Sequence, residues 1–349
     1  MKTGLSLTDL ARKIEANREM KRDYIVDTSK LTMLVQEDKK PVLELPDNGA
    51  TFPLLPLAHD QIGARTQIPA KYYDRMLHDA PDLLATNVNA WFRLQPKRNM
   101  LRTLGGDGRA FLSDRYQRIE NEEIANAALP VLAELPGVQI PSCEVTDRRL
   151  YIHFVIPTIE GEVKKGDVVQ AGGIIQNSEV GLGAVSISGL LWRLVCLNGM
   201  KTTDAFRRNH VGRRTEDDGE MDWADDTRKA DDKAVLLKVR DMVRAVVDET
   251  RFRANLLRLQ VMTDVKVTGN PAKAVEVLAQ KVGATDAEQG GILRALIEGG
   301  DLSAWGMLNA VTAQAHATPS YDRAVEFEAM GGSLIELPAS QWREVLEAV

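Results

Sequence analysis

The chain has 349 residues, 44% of them hydrophobic and 27% charged, and a formal net charge of −6. That length exceeds what one hydrophobic core usually serves, and no stretch approaches the ~20 consecutive apolar residues of a membrane-spanning helix. The N-terminus lacks the apolar centre of a signal peptide, and Cys143 and Cys196 are too few for a disulfide framework, so a cytoplasmic protein with no membrane partner is expected.

Residues 1–60 read as an N-terminal arm. A helix begins after Ser6, with Thr8 as its cap and Leu10, Ile14 and Met20 as spaced apolar contacts. Tyr24–Val26 and Leu31–Val35 are short β-like runs, and Pro41, Pro46, Pro53 and Pro56 then break regularity. Residues 61–214 read as a strand-rich α+β core. It opens with a helix over 70–80, followed by strands at 84–94, 99–104 and 109–118, the last two joined by a turn at Gly105-Gly106-Asp107-Gly108. A helix over 121–135 has Asn121 to cap it, Glu122 and Glu123 at the positive end of its dipole, and Pro136-Gly137 to stop it. Strands are expected over 138–144 and 149–156, the second apolar or aromatic on both faces, as in a covered central strand. Further strands follow over 167–176 and 184–188. The apolar segment 189–199 is either a strand or a buried helix, since periodicity does not separate the two.

Composition changes at residue 215. Nine carboxylates crowd residues 216–232, which read as part of an acidic linker over 215–233. The remainder, 234–349, reads as a helical C-terminal region. One helical pattern runs over 227–262 with Val235, Val239, Met242 and Val246 as its stripe. Asn270-Pro271 starts another helix, and Asp286 and Ser303 cap two more over 287–298 and 304–317. The expected fold class is therefore α+β: a mixed, largely antiparallel sheet core with β-hairpin plus helix units, followed by a helical C-terminal portion.

Two windows carry positive charge that the rest of the chain lacks. Residues 91–118 hold seven Lys and Arg against two Asp, and residues 193–214 hold six against one, so each is net +5 within a chain that is net −6. Such segregation points to a surface for a polyanion, with nucleic acid first. Arg93, Lys97, Arg98, Arg102, Arg109 and Arg115 are the expected phosphate contacts, with Tyr116 or Trp91 supporting a base. Arg207, Arg208, Arg213 and Arg214 form a second strand of the groove or an arm. The competing reading pairs these arginines with the chain's own carboxylates, and a third gives them to an anionic small molecule or protein. The run 216–232, with Trp223 inside it, is a solvated linker or a competitor for the basic surface.

No spacing suggests catalysis. The histidines at 59, 78, 153, 210 and 316 are scattered, and neither a Cys-x₂-Cys pair nor a nucleotide-binding glycine loop is present. His153 is expected in the core, and Cys196, within Leu194-Val195-Cys196-Leu197, as a buried inert thiol. No catalytic residue, metal or cofactor is expected.

Three blocks, Arg109–Glu123, Val185–Gly199 and Trp305–Thr312, resemble in order and spacing the phage/plasmid-like proteins grouped as domain of unknown function 932, over roughly residues 60–335. The resemblance implies a mobile-element origin and assigns no chemistry. The strand-strand-strand-helix order of residues 84–135 is also similar, at the level of fold analogy, to phage single-strand annealing proteins. That similarity implies binding of single-stranded DNA by a homo-oligomer in recombination or replication, without catalytic residues. The alternative is a non-enzymatic protein-binding, assembly or host-defence-inhibiting factor of phage or plasmid.

Overall fold

The computed structural model describes residues 1–46, 49–209, 225–246 and 248–349. Helix α1 (Leu7–Met20) opens the chain and is capped by Ser6, whose Oγ accepts from the Asp9 amide. Ser6 keeps the extended backbone a cap needs, whereas Thr8, the expected cap, is already inside the helix. Strand β1 (Lys21–Asp27) follows. Then β2 (Thr32–Val35), β3 (Pro41–Glu44) and β4 (Thr51–Pro53) form a small antiparallel sheet with β3 in the middle. Pro41 and Pro53 lie at the first and last positions of their strands, where a missing N–H disturbs the ladder least.

Helices α2 (Pro56–Thr66), α3 (Ala70–Asp79) and α4 (Pro81–Leu94) cover that sheet. Leu31, Met33, Leu43 and Phe52 pack with Ile62, Tyr73, Met76, Leu84, Val88 and Phe92 in one apolar cluster. Of residues 1–60, expected as an arm, Leu31 to Phe52 thus pack in this cluster, while Leu10 and Ile14 of α1 pack elsewhere. Helix α4 also replaces the strand expected over 84–94. Leu84, Val88 and Phe92 recur every four residues and are buried, with Pro81 in the first turn, which is a helical signature rather than an alternating one.

Strands β5 (Arg98–Leu104) and β6 (Asp107–Ser113) form the expected hairpin, closed by Gly105 and Gly106 at φ of 60° and 99°. β1 pairs with the other edge of β5, giving the order β1-β5-β6. β6 ends at Ser113, short of the expected Arg118. It also carries a bulge: Arg102 faces Ala110 and Thr103 faces Gly108, so Arg109 is the extra residue.

Helix α5 (Asn121–Glu134) follows, with Glu120 rather than Asn121 at its cap. The central sheet then runs as a five-stranded antiparallel meander: β7 (Gln139–Val145), β8 (Leu150–Lys164), β9 (Asp167–Asn177), β10 (Ala184–Arg193) and β11 (Asn198–Asn209). The ambiguous segment 189–199 resolves as the end of β10, a turn over 194–197 and the start of β11. Cys196 lies in that turn and is exposed, contrary to expectation. The buried cysteine is Cys143, whose thiol is pushed up to about 12 by burial. Residues 150–156 of β8 are all buried, as a covered central strand requires.

Helix α6 (Asp225–Ala245) and helix α7 (Glu249–Asp264) replace the single helix expected over 227–262. Asp248 accepts from the Thr250 and Arg251 amides and so begins a second helix. They are followed by α8 (Pro271–Val282), α9 (Asp286–Gly299), α10 (Ala304–Ala317), α11 (Tyr321–Ile335) and α12 (Ala339–Leu346). Asn270 and Ser303 cap as expected, while Thr285 takes the place of Asp286. One face of the central sheet, with Ile152, Phe154, Ile175 and Ile187, packs on Leu10 and Ile14 of α1, Ile124 of α5 and Val239 of α6. The opposite face, with Tyr151 and Ile174, packs on Tyr321 and Val325 of α11. The protein is mixed α+β, with antiparallel sheets in the N-terminal half and helices beyond. No helix among the described residues is long and apolar enough to cross a membrane.

Candidate nucleic-acid interface

The basic window 91–118 divides into an interior set and a surface set. Arg102 and Arg109 are interior, 1% and 6% exposed. The β6 bulge turns Arg109 toward the loop after β9, where Glu179 receives both arginines. Arg109 Nη1 donates to Glu179 Oε2 at 2.8 Å and Arg102 Nη1 to the Glu179 carbonyl at 2.7 Å. Arg102 also donates from Nε to Asp23 at 2.9 Å and from Nη2 to Glu120 at 2.5 Å. Glu179 Oε1 accepts from Lys21 Nζ and, at 2.7 Å, from the Asn121 amide. That amide belongs to the first turn of α5, so the carboxylate also meets the positive end of the helix dipole.

These contacts join β1, β5, β6, the start of α5 and the β9–β10 loop around one buried carboxylate. Burial alone would lower the Arg102 guanidinium pKa, but Glu120 and then Asp23 outweigh it and hold it above its ordinary value. Arg118, on the surface beside this network, pairs with Asp23. Arg102 and Arg109 are therefore structural cations and not phosphate contacts, which corrects the expectation for both. Tyr116 is half-buried and its hydroxyl donates to the Ser178 carbonyl at 3.1 Å, so it is no open platform for a base.

Arg93, Lys97, Arg98 and Arg115 are exposed and form no ion pair with any described residue. Backbone pairing gathers them at one end of the β1-β5-β6 sheet. Arg98 stands opposite Asp27 in the ladder, and Asn99 opposite Ser113, two residues before Arg115. The Thr28 amide donates to the Lys97 carbonyl at 2.9 Å, and Thr28 Oγ1 donates to the carbonyl of Phe92, beside Arg93, at 3.3 Å. Arg93 thus lies at the end of helix α4 rather than on a hairpin strand. Two cations not singled out from sequence join the group. Lys30 is exposed two residues beyond Thr28, and Arg65 reaches the Gln95 carbonyl and Asn99 Oδ1 at 2.8 and 3.3 Å. The Asp27 carboxylate accepts from the Ser29 hydroxyl and amide, and those two bonds hold its pKa below the ordinary value. It stays charged and partly offsets Arg98 and Lys30. Trp91, in the last turn of α4 two residues before Arg93, is 39% exposed.

Among the described residues of the second window, Arg193 and Lys201 have partners of their own. Arg193 pairs with Asp167 through both Nε and Nη2, and Lys201 donates to Gln176. Arg207 is exposed on β11, the edge strand of the other sheet. The Arg208 side chain, Arg213, Arg214, Trp223 and most of the acidic run lie outside the described residues. His153 is a core histidine, with Nε2 at 2.8 Å from Glu328 Oε2 and Nδ1 at 3.2 Å from the Tyr321 hydroxyl. Among the described residues, no group of three His, Cys, Asp or Glu side chains is placed to hold a metal.

The network partners were legible only in part. Glu120-x-x-Glu123 carries the spacing of a capping box, and the Glu120 amide does donate to Glu123 Oε2 at 2.8 Å. Nothing in the sequence around Asp23 or Glu179 links either to an arginine far away along the chain.

Comparison with known proteins adds one match. The family model described as Domain of unknown function (DUF932) matches residues 110–323, from β6 to the start of α11. No curated protein and no solved structure matches the chain.

Proposed function

Given that the chain belongs to the DUF932 family, whose description assigns no activity, we propose that it is a non-enzymatic nucleic-acid-binding protein. It takes single-stranded DNA on the exposed basic end of the β1-β5-β6 sheet and serves recombination or replication of a mobile element. The observation that carries this reading is the group Arg93, Lys97, Arg98 and Arg115, exposed and in no ion pair among the described residues, with Trp91 also exposed in the last turn of the same helix as Arg93. Buried arginines in the same window hold carboxylates in ion pairs; these form none among the described residues, Asp27 only partly offsetting Arg98, and guanidinium groups left in water are suited to bidentate phosphate contacts. An exposed indole next to them supplies the stacking that an unpaired base accepts and a duplex denies.

The test is fluorescence-anisotropy binding of a labelled ~40-nucleotide single strand at several salt concentrations. Binding weakens with salt, each neutralised phosphate contributing about −0.7 to the log–log slope, and Lys97→Glu with Arg98→Glu abolishes it. Arg102→Glu is unsuited to this purpose, since it would set a fourth carboxylate among Asp23, Glu120 and Glu179 and report on folding. Equal binding by the wild type and the Lys97/Arg98 variant, or none at low salt, overturns the reading.

A further inference from the structure

The helical region holds an apolar groove that the nucleic-acid reading leaves unused. It measures about 590 Å³ and lies between α7 and α12, with Leu257 and Val261 on one wall and Ile335, Leu337 and Trp342 on the other. Its walls are fixed. The Leu346 carbonyl accepts from the Thr268 and Gly269 amides at 2.9 Å, the Ala348 carbonyl from Asn270 at 2.8 Å, and Trp342 Nε1 donates to the Leu334 carbonyl at 3.2 Å. The groove is therefore formed before any partner arrives. Leu257 and Val261, one helical turn apart, are each 63% exposed, a cost in water that a partner removes.

The rim identifies the partner's chemistry. Arg258, Lys266 and Arg343 are exposed along it, against Glu347 alone, and none of the three forms an ion pair with a described residue. This is a cationic border in an acidic chain. A second copy presenting the same patch would set these cations against their own images, so self-association through it is disfavoured. Single-stranded nucleic acid fits poorly as well, because the exposed floor is aliphatic and the one aromatic lining residue, Trp342, is buried. We propose that this groove docks an acidic amphipathic helix of a partner protein. Apolar anchors one turn apart meet Leu257, Val261 and Leu337, and flanking carboxylates meet Arg258, Lys266 and Arg343.

The test uses a labelled 16-residue model helix with Leu at positions spaced i, i+4 and i+8 and Glu at most others, beside the same peptide with Lys for Glu. The acidic peptide binds the full chain in a salt-sensitive manner and the basic one does not. Val261→Glu and the double variant Arg258→Glu/Arg343→Glu each weaken binding at least tenfold. Because the substituted side chains are exposed, urea midpoints stay near that of the wild type and separate lost docking from lost folding. Four results overturn the proposal: no binding of the acidic peptide, equal binding of both peptides, displacement of the acidic peptide by single-stranded DNA, or a dimer in sedimentation that Val261→Glu converts to monomer. The last would make a second copy the occupant. Failure of the Lys97/Arg98 experiment leaves this one unaffected, since the two surfaces share no residue.

Discussion

Arg102 and Arg98 lie one helical turn's worth of sequence apart on the same strand, yet they do different work. Arg102 is enclosed by Asp23, Glu120 and the Glu179 carbonyl, whereas Arg98 faces water. Charge segregated in a sequence is therefore not always segregated in space. The carboxylates that neutralise Arg102, Arg109 and Arg118 come from β1, the cap of α5 and the β9–β10 loop, all outside residues 91–118. What remains exposed is the smaller group that forms no ion pair with a described carboxylate.

This comparison can be broken most forcefully at Glu179. Glu179→Ala leaves Arg109 buried without its counter-charge, while Lys21 keeps Glu120, and is expected to cost about 3–5 kcal/mol, read from the urea midpoint. A loss under about 1 kcal/mol would mean that the interior set is no more structural than the surface set.

Next in size is an acid effect at Glu120. Burial pushes its carboxyl up, but Arg102 first, with Lys21 adding to it, outweighs burial and holds the pKa at about 2. A depressed carboxylate pKa contributes stability that is complete above about 4.5 and is lost as pH falls through about 2. Glu120→Gln should therefore cost about 2–3 kcal/mol at pH 7. Its stability curve should converge on that of the wild type as the pH is lowered through this window. Parallel curves down to pH 2 would show that Glu120 does not titrate with the network.

On the surface side, Trp91→Ala should weaken binding of the labelled single strand by about 1–3 kcal/mol while leaving the urea midpoint in place. The smallest effect sharpens the contrast most. Arg98→Ala should change stability by less than about 0.5 kcal/mol, the mark of a side chain with no partner to lose. A loss of several kcal/mol there would reassign Arg98 to the interior set.

Much of the fold was legible because its signals are local. The β5–β6 hairpin has its glycine pair, α8 its Asn270-Pro271 start, and β8 its double apolar face. Errors arose where a local signal was overridden or weighed without its period. Leu84, Val88 and Phe92 show helical spacing inside a segment that is apolar enough to pass for a strand. Cys196 sits among apolar neighbours, yet they occupy an exposed turn whose Leu197 has φ of 52°. The candidate site was half legible. Arg93, Lys97, Arg98 and Arg115 are legible as a charge cluster while Lys30 and Arg65 are not, and which arginines are buried depends on partners from other elements. Arg102 meets Asp23, 79 positions earlier, and Glu179 is 70 positions beyond Arg109. Such pairings leave no local trace.

The two larger sheets differ in how far along the chain their strands must reach to pair. The five strands of the meander pair in the order in which they leave the ribosome, so each new strand closes only a hairpin. The pairing of Lys21 with Leu104 instead joins positions separated by the whole of the small sheet and three helices. Loop-closure entropy delays such long-range contacts. Glu179, in the loop between β9 and β10, is the point at which the two sheets meet, since Arg102 and Arg109 of β5 and β6 both bond to it. The ion network therefore couples the two: a β1-β5-β6 sheet displaced from the central sheet would leave Arg109 without its carboxylate and Glu179 without its cations.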